Sequence, residues 1–248
     1  MAKTVLVTGG SRGIGAATAR LAASRGYRVC ISYVRDEKSA NAVADDIRSQ
    51  GGEASVVQAD TGDEASIVRM FETVGREVGR IDALVNNAGI TGPPGPLDST
   101  KAADIKRVLD VNLFGLILCC REALLRMSTK HGGNGGAIVN LSSVAAREGA
   151  PREYTPYGAA KGGVSTFTLG LAREVAGEGV RVNAILPGLI DTDIHAGEFA
   201  QTRLKRLVPT VPMARVGTAE ECAEAILWLL SDQASYVTGA VLPVTGGR

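Results

Sequence analysis

Short apolar runs alternate with longer stretches of helical period along the whole chain. That alternation predicts strands joined by helical crossovers, the arrangement of a parallel sheet. The expected strands are Lys3–Thr8, Arg28–Tyr33, Ala54–Ala59, Ala83–Asn86, Ala137–Ser142, Val180–Leu186 and Ala240–Val244. The expected helices are Gly13–Arg25, Glu37–Ser49, Glu64–Val78, Ala102–Ser128, Tyr157–Gly177 and Ala219–Leu230. Right-handed crossovers wind this order into a doubly wound α/β fold, a Rossmann-type parallel sheet of seven strands with helices on both faces. Ligands bind along the carboxyl edge of such a sheet, where the loops after the strands gather. Three stretches break the alternation. Thr91–Pro96 and His131–Gly136 read as Gly/Pro turns, whereas Gly188–Val211 is long for a connection and is expected as a lid.

The length changes this picture little, because a doubly wound sheet absorbs 248 residues around one core. We therefore expect a single domain over residues 1–248, with a substrate lid at about 188–211. Lys plus Arg number 27 against 26 acids, so no field of one sign recruits a nucleic acid or an anionic membrane. Cys30, Cys119, Cys120 and Cys222 show no C-x-x-C spacing, and His131 and His195 are the only histidines, so no metal site is expected. Buried thiols in a reducing compartment fit better. No apolar run approaches the roughly 20 residues of a membrane span. The N-terminal run lacks a signal-peptide pattern, and a cytoplasmic location is expected.

The first strand leads into Thr8-Gly9-Gly10-Ser11-Arg12-Gly13-Ile14-Gly15 and then an Ala-rich helical stretch. A pyrophosphate approaches backbone only where side chains are absent, and the N–H groups and positive dipole end of a helix face its charge. Glycines also serve turns that need positive φ, so the strand–turn–helix context carries the binding reading. Four further motifs follow in order: Asn86-Asn87-Ala88-Gly89 after the fourth strand, Asn112 in the long helix, Ser143 ahead of Tyr157-x-x-x-Lys161, and Pro187-Gly188 after the sixth strand. Together they resemble the short-chain dehydrogenase/reductase family over essentially the whole chain. The likeness is strongest to bacterial members described as glucose dehydrogenase-like or as uncharacterised NADP-dependent oxidoreductases. It implies a nicotinamide-dependent enzyme acting on CH–OH groups.

The cofactor is read from the tip of the second strand. An NAD site places an acid about 20 residues past the glycine turn to hold the ribose 2′-hydroxyl. Here the tip reads Ser32-Tyr33-Val34-Arg35. Arg12 and Arg35 can flank a 2′-phosphate, which favours NADP (NADPH) over NAD. The competing reading gives the ribose to Asp36 or Glu37, though both stand where the next helix needs a cap. By the resemblance, Asp60 and Thr61 meet the adenine, while Asn86, Ala88 and Gly89 pass the adenosine ribose. Gly9, Ser11, Arg12, Gly13, Ile14, Gly15, Tyr33 and Arg35 complete that side. Thr192 touches the carboxamide or phosphate and Lys161 holds the nicotinamide ribose, with Pro187, Gly188, Ile190 and Tyr157 as further expected cofactor contacts.

The catalytic residues are expected to be Asn112, Ser143, Tyr157 and Lys161. Tyr157 and Lys161, four apart, share one helix face. A phenol titrates near about 10, and an ammonium about 5 Å away favours the phenolate by about 3 kcal/mol, or roughly two pK units. Tyr154 has no such partner, since Gly158 stands four residues after it. Ser143 closes the fifth strand and can hydrogen-bond the substrate oxygen; Ser142 is the alternative, and the family pattern favours Ser143. The interval from Ser143 to Tyr157 is one residue longer than the family pattern. By resemblance, Asn112 opens its helix and positions a water that links Lys161 to solvent.

The wall, Ala145–Tyr154, and the lid mix Leu189, Ile190, Phe199 and Leu207 with Glu148, Arg152, His195 and Arg203, which selects no single substrate class. A small carbonyl or alcohol substrate, a sugar or ketone, is preferred. Asn134 and Glu178 stand where a 3-oxoacyl carrier-protein reductase would carry basic residues, which counts against that alternative. A dinucleotide-sensing protein that has lost turnover is a further alternative, against which the intact Tyr/Lys pair speaks. The resemblance implies a homotetramer.

Overall fold

The computed structural model describes residues 2–192, 202, 204 and 206–248. Its seven strands are β1 (Thr4–Val7), β2 (Arg28–Tyr33), β3 (Ala54–Gln58), β4 (Ala83–Asn86), β5 (Gly136–Leu141), β6 (Val180–Pro187) and β7 (Val241–Val244), all parallel, in the order β3-β2-β1-β4-β5-β6-β7. Strand order reverses between β1 and β4, which opens the crevice at their carboxyl ends.

Strand residues alternate between two apolar layers. Val5, Val7, Val29, Ile31, Val85 and Val139 face α1 (Gly13–Ser24) and α2 (Glu37–Ser49). Leu6, Cys30, Leu84 and Ile138 face α3 (Glu64–Glu77) on the other side. Because both faces are buried, the strands read as continuous aliphatic runs. All four cysteines are buried in these layers.

The expected long helix is a rod in two parts. α4 (Ala102–Leu109) and α5 (Gly115–Met127) are joined by a π-helical segment, Asp110–Phe114. The Tyr/Lys helix, α7 (Thr155–Val175), begins two residues earlier than its periodicity suggests, with Pro156 in its first turn. The pattern did not reveal α6 (Ala145–Glu148), a single turn after β5. The last helix is α8 (Ala219–Leu230), started by a reciprocal Thr218/Glu221 capping box. Among the described residues, no helix is long and apolar enough to cross a membrane.

Candidate active site

The glycine turn forms the floor. Asp36 caps α2 and Asp63 caps α3, each accepting a backbone N–H, but α1 has no capping side chain and no acid in its first turn. Its first N–H groups are left for an external anion. Gly9 has φ +62°, and a Cβ there would lie 2.9 Å from Ala88 Cα, so neither the conformation nor the space admits a side chain.

A polar strut joins this turn to the loop after β4. Thr8 Oγ1 accepts from the N–H groups of Asn87 and Ala88 at 3.0 and 3.1 Å, and Asn87 Nδ2 donates to the Thr8 and Gly9 carbonyls at 2.9 and 2.8 Å. Ser32 ties the turn to β2, its hydroxyl accepting from Gly9 N–H at 3.2 Å and its carbonyl from Gly10 N–H at 3.0 Å. From the third side, the Thr192 side chain stands where a Cβ on Gly13 would meet it at 3.2 Å. Across the Ile190–Gly217 bridge, Asp191 N–H donates to the Gly217 carbonyl at 2.9 Å and Gly217 N–H to the Leu189 carbonyl at 2.8 Å. Gly188 packs against the Thr245 backbone, and its N–H donates to the Val244 carbonyl at 2.9 Å. Thr8, Asn87 and Ser32 were not singled out from the sequence, although all three stand inside the quoted segments.

Two of the expected cofactor residues have side chains engaged within the protein. The Asn86 side chain is buried in the core, donating to Asn140 Oδ1 at 2.9 Å and to Cys120 Sγ at 3.2 Å, so any cofactor contact runs through its backbone. The Asp60 carboxylate is held by Arg107 at 2.9 and 2.8 Å and by the Gly62 N–H at 2.8 Å. Partial burial pulls Asp60 upward, but the Gly62 N–H, the Arg107 hydrogen bonds and the charges of Arg107 and Arg35 hold it below the ordinary carboxylate value. Thr61 is buried, its carbonyl pressed against Gly115 where α5 starts.

At the β2 tip, Arg12 and Arg35 are exposed, and their side chains make no hydrogen bond or ion pair among the described residues. Asp36, the competing ribose ligand, accepts from Ser39 N–H and Oγ at 3.0 and 2.7 Å and is thereby committed as a helix cap. A side-chain-free cradle, an uncapped helix start and two unpartnered guanidinium groups fit a phosphorylated dinucleotide.

The residues expected to carry proton transfer gather at the ends of β4 and β5. Lys161 Nζ lies 5.6 Å from the centre of the Tyr157 ring and donates to the Leu141 carbonyl at 2.7 Å. One of its three donors is thus spent on β5, and burial pushes the amine down to about 8. Ser142 donates to the Lys161 carbonyl at 2.8 Å and lies 2.8 Å from Ser165 Oγ, which stitches β5 to α7 and removes Ser142 from the cleft. Ser143 is only half-buried; its oxygen accepts from Ala145 N–H at 3.2 Å, and it donates no hydrogen bond among the described residues. Tyr154 stands outside the helix as its N-cap residue.

Asn112 lies in the π-helical segment, where the helix is opened. Its amide donates to the Ile90 and Val108 carbonyls at 2.7 and 2.8 Å and accepts from Ile90 N–H at 3.2 Å. A Cβ on Gly89 would sit 2.7 Å from Asn112 Oδ1 and 3.6 Å from Lys161 Nζ, so bare backbone brings the three together.

A family model described as enoyl-(acyl carrier protein) reductase matches residues 9–248. The uncharacterised oxidoreductase YgfF of Escherichia coli is 50% identical over 243 residues, 98% of each chain. The chain belongs to the short-chain dehydrogenase/reductase family. Within this family, cis-4-hydroxycyclohexanecarboxylate dehydrogenase of Sinomonas cyclohexanicum is 42% identical, covering 99% of this chain and 96% of that one. A solved structure, a blue fluorescent protein from a metagenomic library in complex with NADPH, superposes with a TM-score of 0.90 at 34% identity, over 99% and 97% of the two chains. As a short-chain dehydrogenase/reductase, the chain is an oxidoreductase whose family uses a nicotinamide cofactor and a small-molecule substrate.

The segment expected as the substrate wall is pinned from outside. Arg248 grips Glu148 of α6 through two hydrogen bonds, at 2.9 and 2.7 Å, and Arg206 pairs with Glu153. Between Ser143 and Tyr157, Ala150 and Arg152 adopt left-handed backbone, with φ +45° and +62°. His195, Phe199 and Arg203 of the expected lid lie outside the described residues. Among the described residues, no cluster of His, Cys, Asp or Glu could hold a metal ion.

Proposed function

We propose that this protein is an NADP-preferring oxidoreductase that passes hydride between nicotinamide and a carbonyl or secondary-alcohol substrate, a sugar or small ketone. The reading rests above all on the buried Lys161 amine beside the Tyr157 ring, at the same sheet edge as the glycine cradle. Gly9, Gly13 and Gly15 with the start of α1 hold the pyrophosphate, and Arg12 and Arg35 hold the 2′-phosphate. The bound nicotinamide supplies or accepts the hydride. Tyr157 gives its hydroxyl proton to the carbonyl oxygen during reduction, or takes one from the alcohol during oxidation. Ser143 hydrogen-bonds the same oxygen as charge develops on it. The Lys161 charge favours the Tyr157 phenolate, and Asn112 keeps the helix open beside Lys161 for proton exchange with solvent.

A cytoplasmic homotetramer completes the proposal; a monomeric mass in sedimentation at micromolar concentration argues against the assembly. Glu178, which accepts the Ser128 hydroxyl at 2.5 Å, puts an acid where a carrier-protein reductase would present a base, and this favours a free small substrate. The test is a fluorescence titration with NADPH and NADH, followed by a turnover screen of sugars, ketones and acyl thioesters. NADPH is expected to bind the tighter by about tenfold or more, the worth of one charge-assisted contact. Equal affinities contradict the cofactor assignment.

A further inference from the structure

The Arg107–Asp60 pair joins α4 to the loop after β3, across 47 positions of sequence. Their side chains are 44% and 34% exposed, so the pair itself contributes little to stability. Its geometry is nonetheless specific: Arg107 Nη2 reaches both carboxylate oxygens, and the Gly62 N–H takes Oδ1 as well. A side chain at Gly62 would overlap the Arg107 guanidinium, so the loop leaves its backbone bare for it.

Asp60 also has a second basic neighbour. β2 and β3 pair with Tyr33 opposite Gln58, and Ala59 N–H donates to the Tyr33 carbonyl at 2.8 Å. Arg35 and Asp60 each follow the end of their strand, β2 and β3, by two residues. The Arg35 charge is felt at the Asp60 carboxyl, yet Arg35 itself makes no hydrogen bond or ion pair among the described residues. One carboxylate thus feels two guanidinium charges and is bonded to only one.

We propose that Arg107 is a specificity-determining positioning residue for the dinucleotide: by occupying both oxygens of Asp60 it keeps Arg35 available for the ribose 2′-phosphate. This rests on the NADP reading above. Without Arg107, the Asp60 carboxylate turns to Arg35, and the phosphate loses a cationic partner to an internal ion pair. NADH, which has no 2′-phosphate, is indifferent to that exchange.

The test is binding, not turnover. Dissociation constants for NADPH and NADH are measured on the wild type, Arg107→Gln, Asp60→Asn and the double variant, with circular dichroism confirming the fold of each. Using the NADPH/NADH ratio cancels any contact between Asp60 and the adenine, which both cofactors share. Arg107→Gln is expected to lower the NADPH preference about tenfold, and the double variant to return to the ratio of Asp60→Asn. Should Arg107→Gln not fold, Arg107→Lys, which keeps the charge and loses the paired hydrogen bonds, is expected to give a smaller loss in the same ratio. Equal weakening of both cofactors, or no rescue in the double variant, overturns the proposal and leaves the NADP reading standing. A wild type without NADPH preference overturns both.

Discussion

The floor of the cleft and its wall are built by different means. The floor is backbone held by short-range polar contacts: Thr8, Asn87 and Ser32 bind main-chain groups of the glycine turn, and Gly9 lies against Ala88 with no room between. The wall is held by side chains from far along the chain, Glu148 by Arg248 and Glu153 by Arg206, and it carries two non-glycine residues in the left-handed region. Each such residue stores about 1–3 kcal/mol of strain. A backbone cradle admits little variation, because a Cβ at Gly9 or Gly15 collides. A wall of partly exposed ion pairs can be rebuilt by exchanging charges, which suits a family whose members share a cofactor site and differ in substrate.

Substitutions can sharpen that contrast. The largest effect is expected in the floor. Gly9→Ala forces an L-residue to φ +62° and against Ala88, so it combines about 1–3 kcal/mol of strain with a steric overlap. NADPH binding is expected to weaken about a hundredfold, and a titration that finds Gly9→Ala at wild-type affinity removes the cradle from the argument.

A smaller, graded effect is expected from pH. Lys161 is depressed by burial to about 8, from an ordinary value near 10.5. Its ammonium is therefore present below pH 8 and lost above it, in the folded chain. Carbonyl reduction, which needs a protonated relay, is expected to be level up to about pH 8 and then to fall about tenfold per unit in kcat/KM. Below pH 8 the folded chain also bears the cost of burying that charge; the unfolded chain holds the proton up to about 10.5, so this destabilisation fades between the two values. A pH–rate profile without a break between 7 and 9 separates Lys161 from the reaction.

The smallest effect belongs to the wall. Arg248→Ala removes a partly exposed pair and is expected to change stability by less than about 1 kcal/mol. It also releases α6, so KM for the carbonyl substrate is expected to rise several-fold while the NADPH dissociation constant stays unchanged. If NADPH binding changes instead, floor and wall are not the separate parts described here.

The same contrast decides what was readable from the sequence. The strands and the floor were legible because their constraints are local: an aliphatic run buried on both faces, a glycine where a Cβ collides, a Tyr and a Lys one turn apart. The family pattern already favoured Ser143 over Ser142; the packing that commits Ser142 to the Lys161 carbonyl needed coordinates. Asn86 was read toward the cofactor because its motif lies on the ligand edge, yet strand alternation turns its side chain inward to Asn140. Arg107 and Arg248 left no trace in the sequence, because their partners lie 47 and 100 positions away. The single turn of α6 is too short to show a helical period.

The central claim is that Tyr157 moves the proton while hydride passes to or from nicotinamide. The most direct measurement follows label from NADPH deuterated at nicotinamide C4 into a reduced ketone, in the wild type and in Tyr157→Phe. The wild type is expected to deliver the label, and Tyr157→Phe to bind NADPH equally well while delivering it about 10²–10⁴-fold more slowly. Equal transfer rates in the two proteins would contradict the assignment.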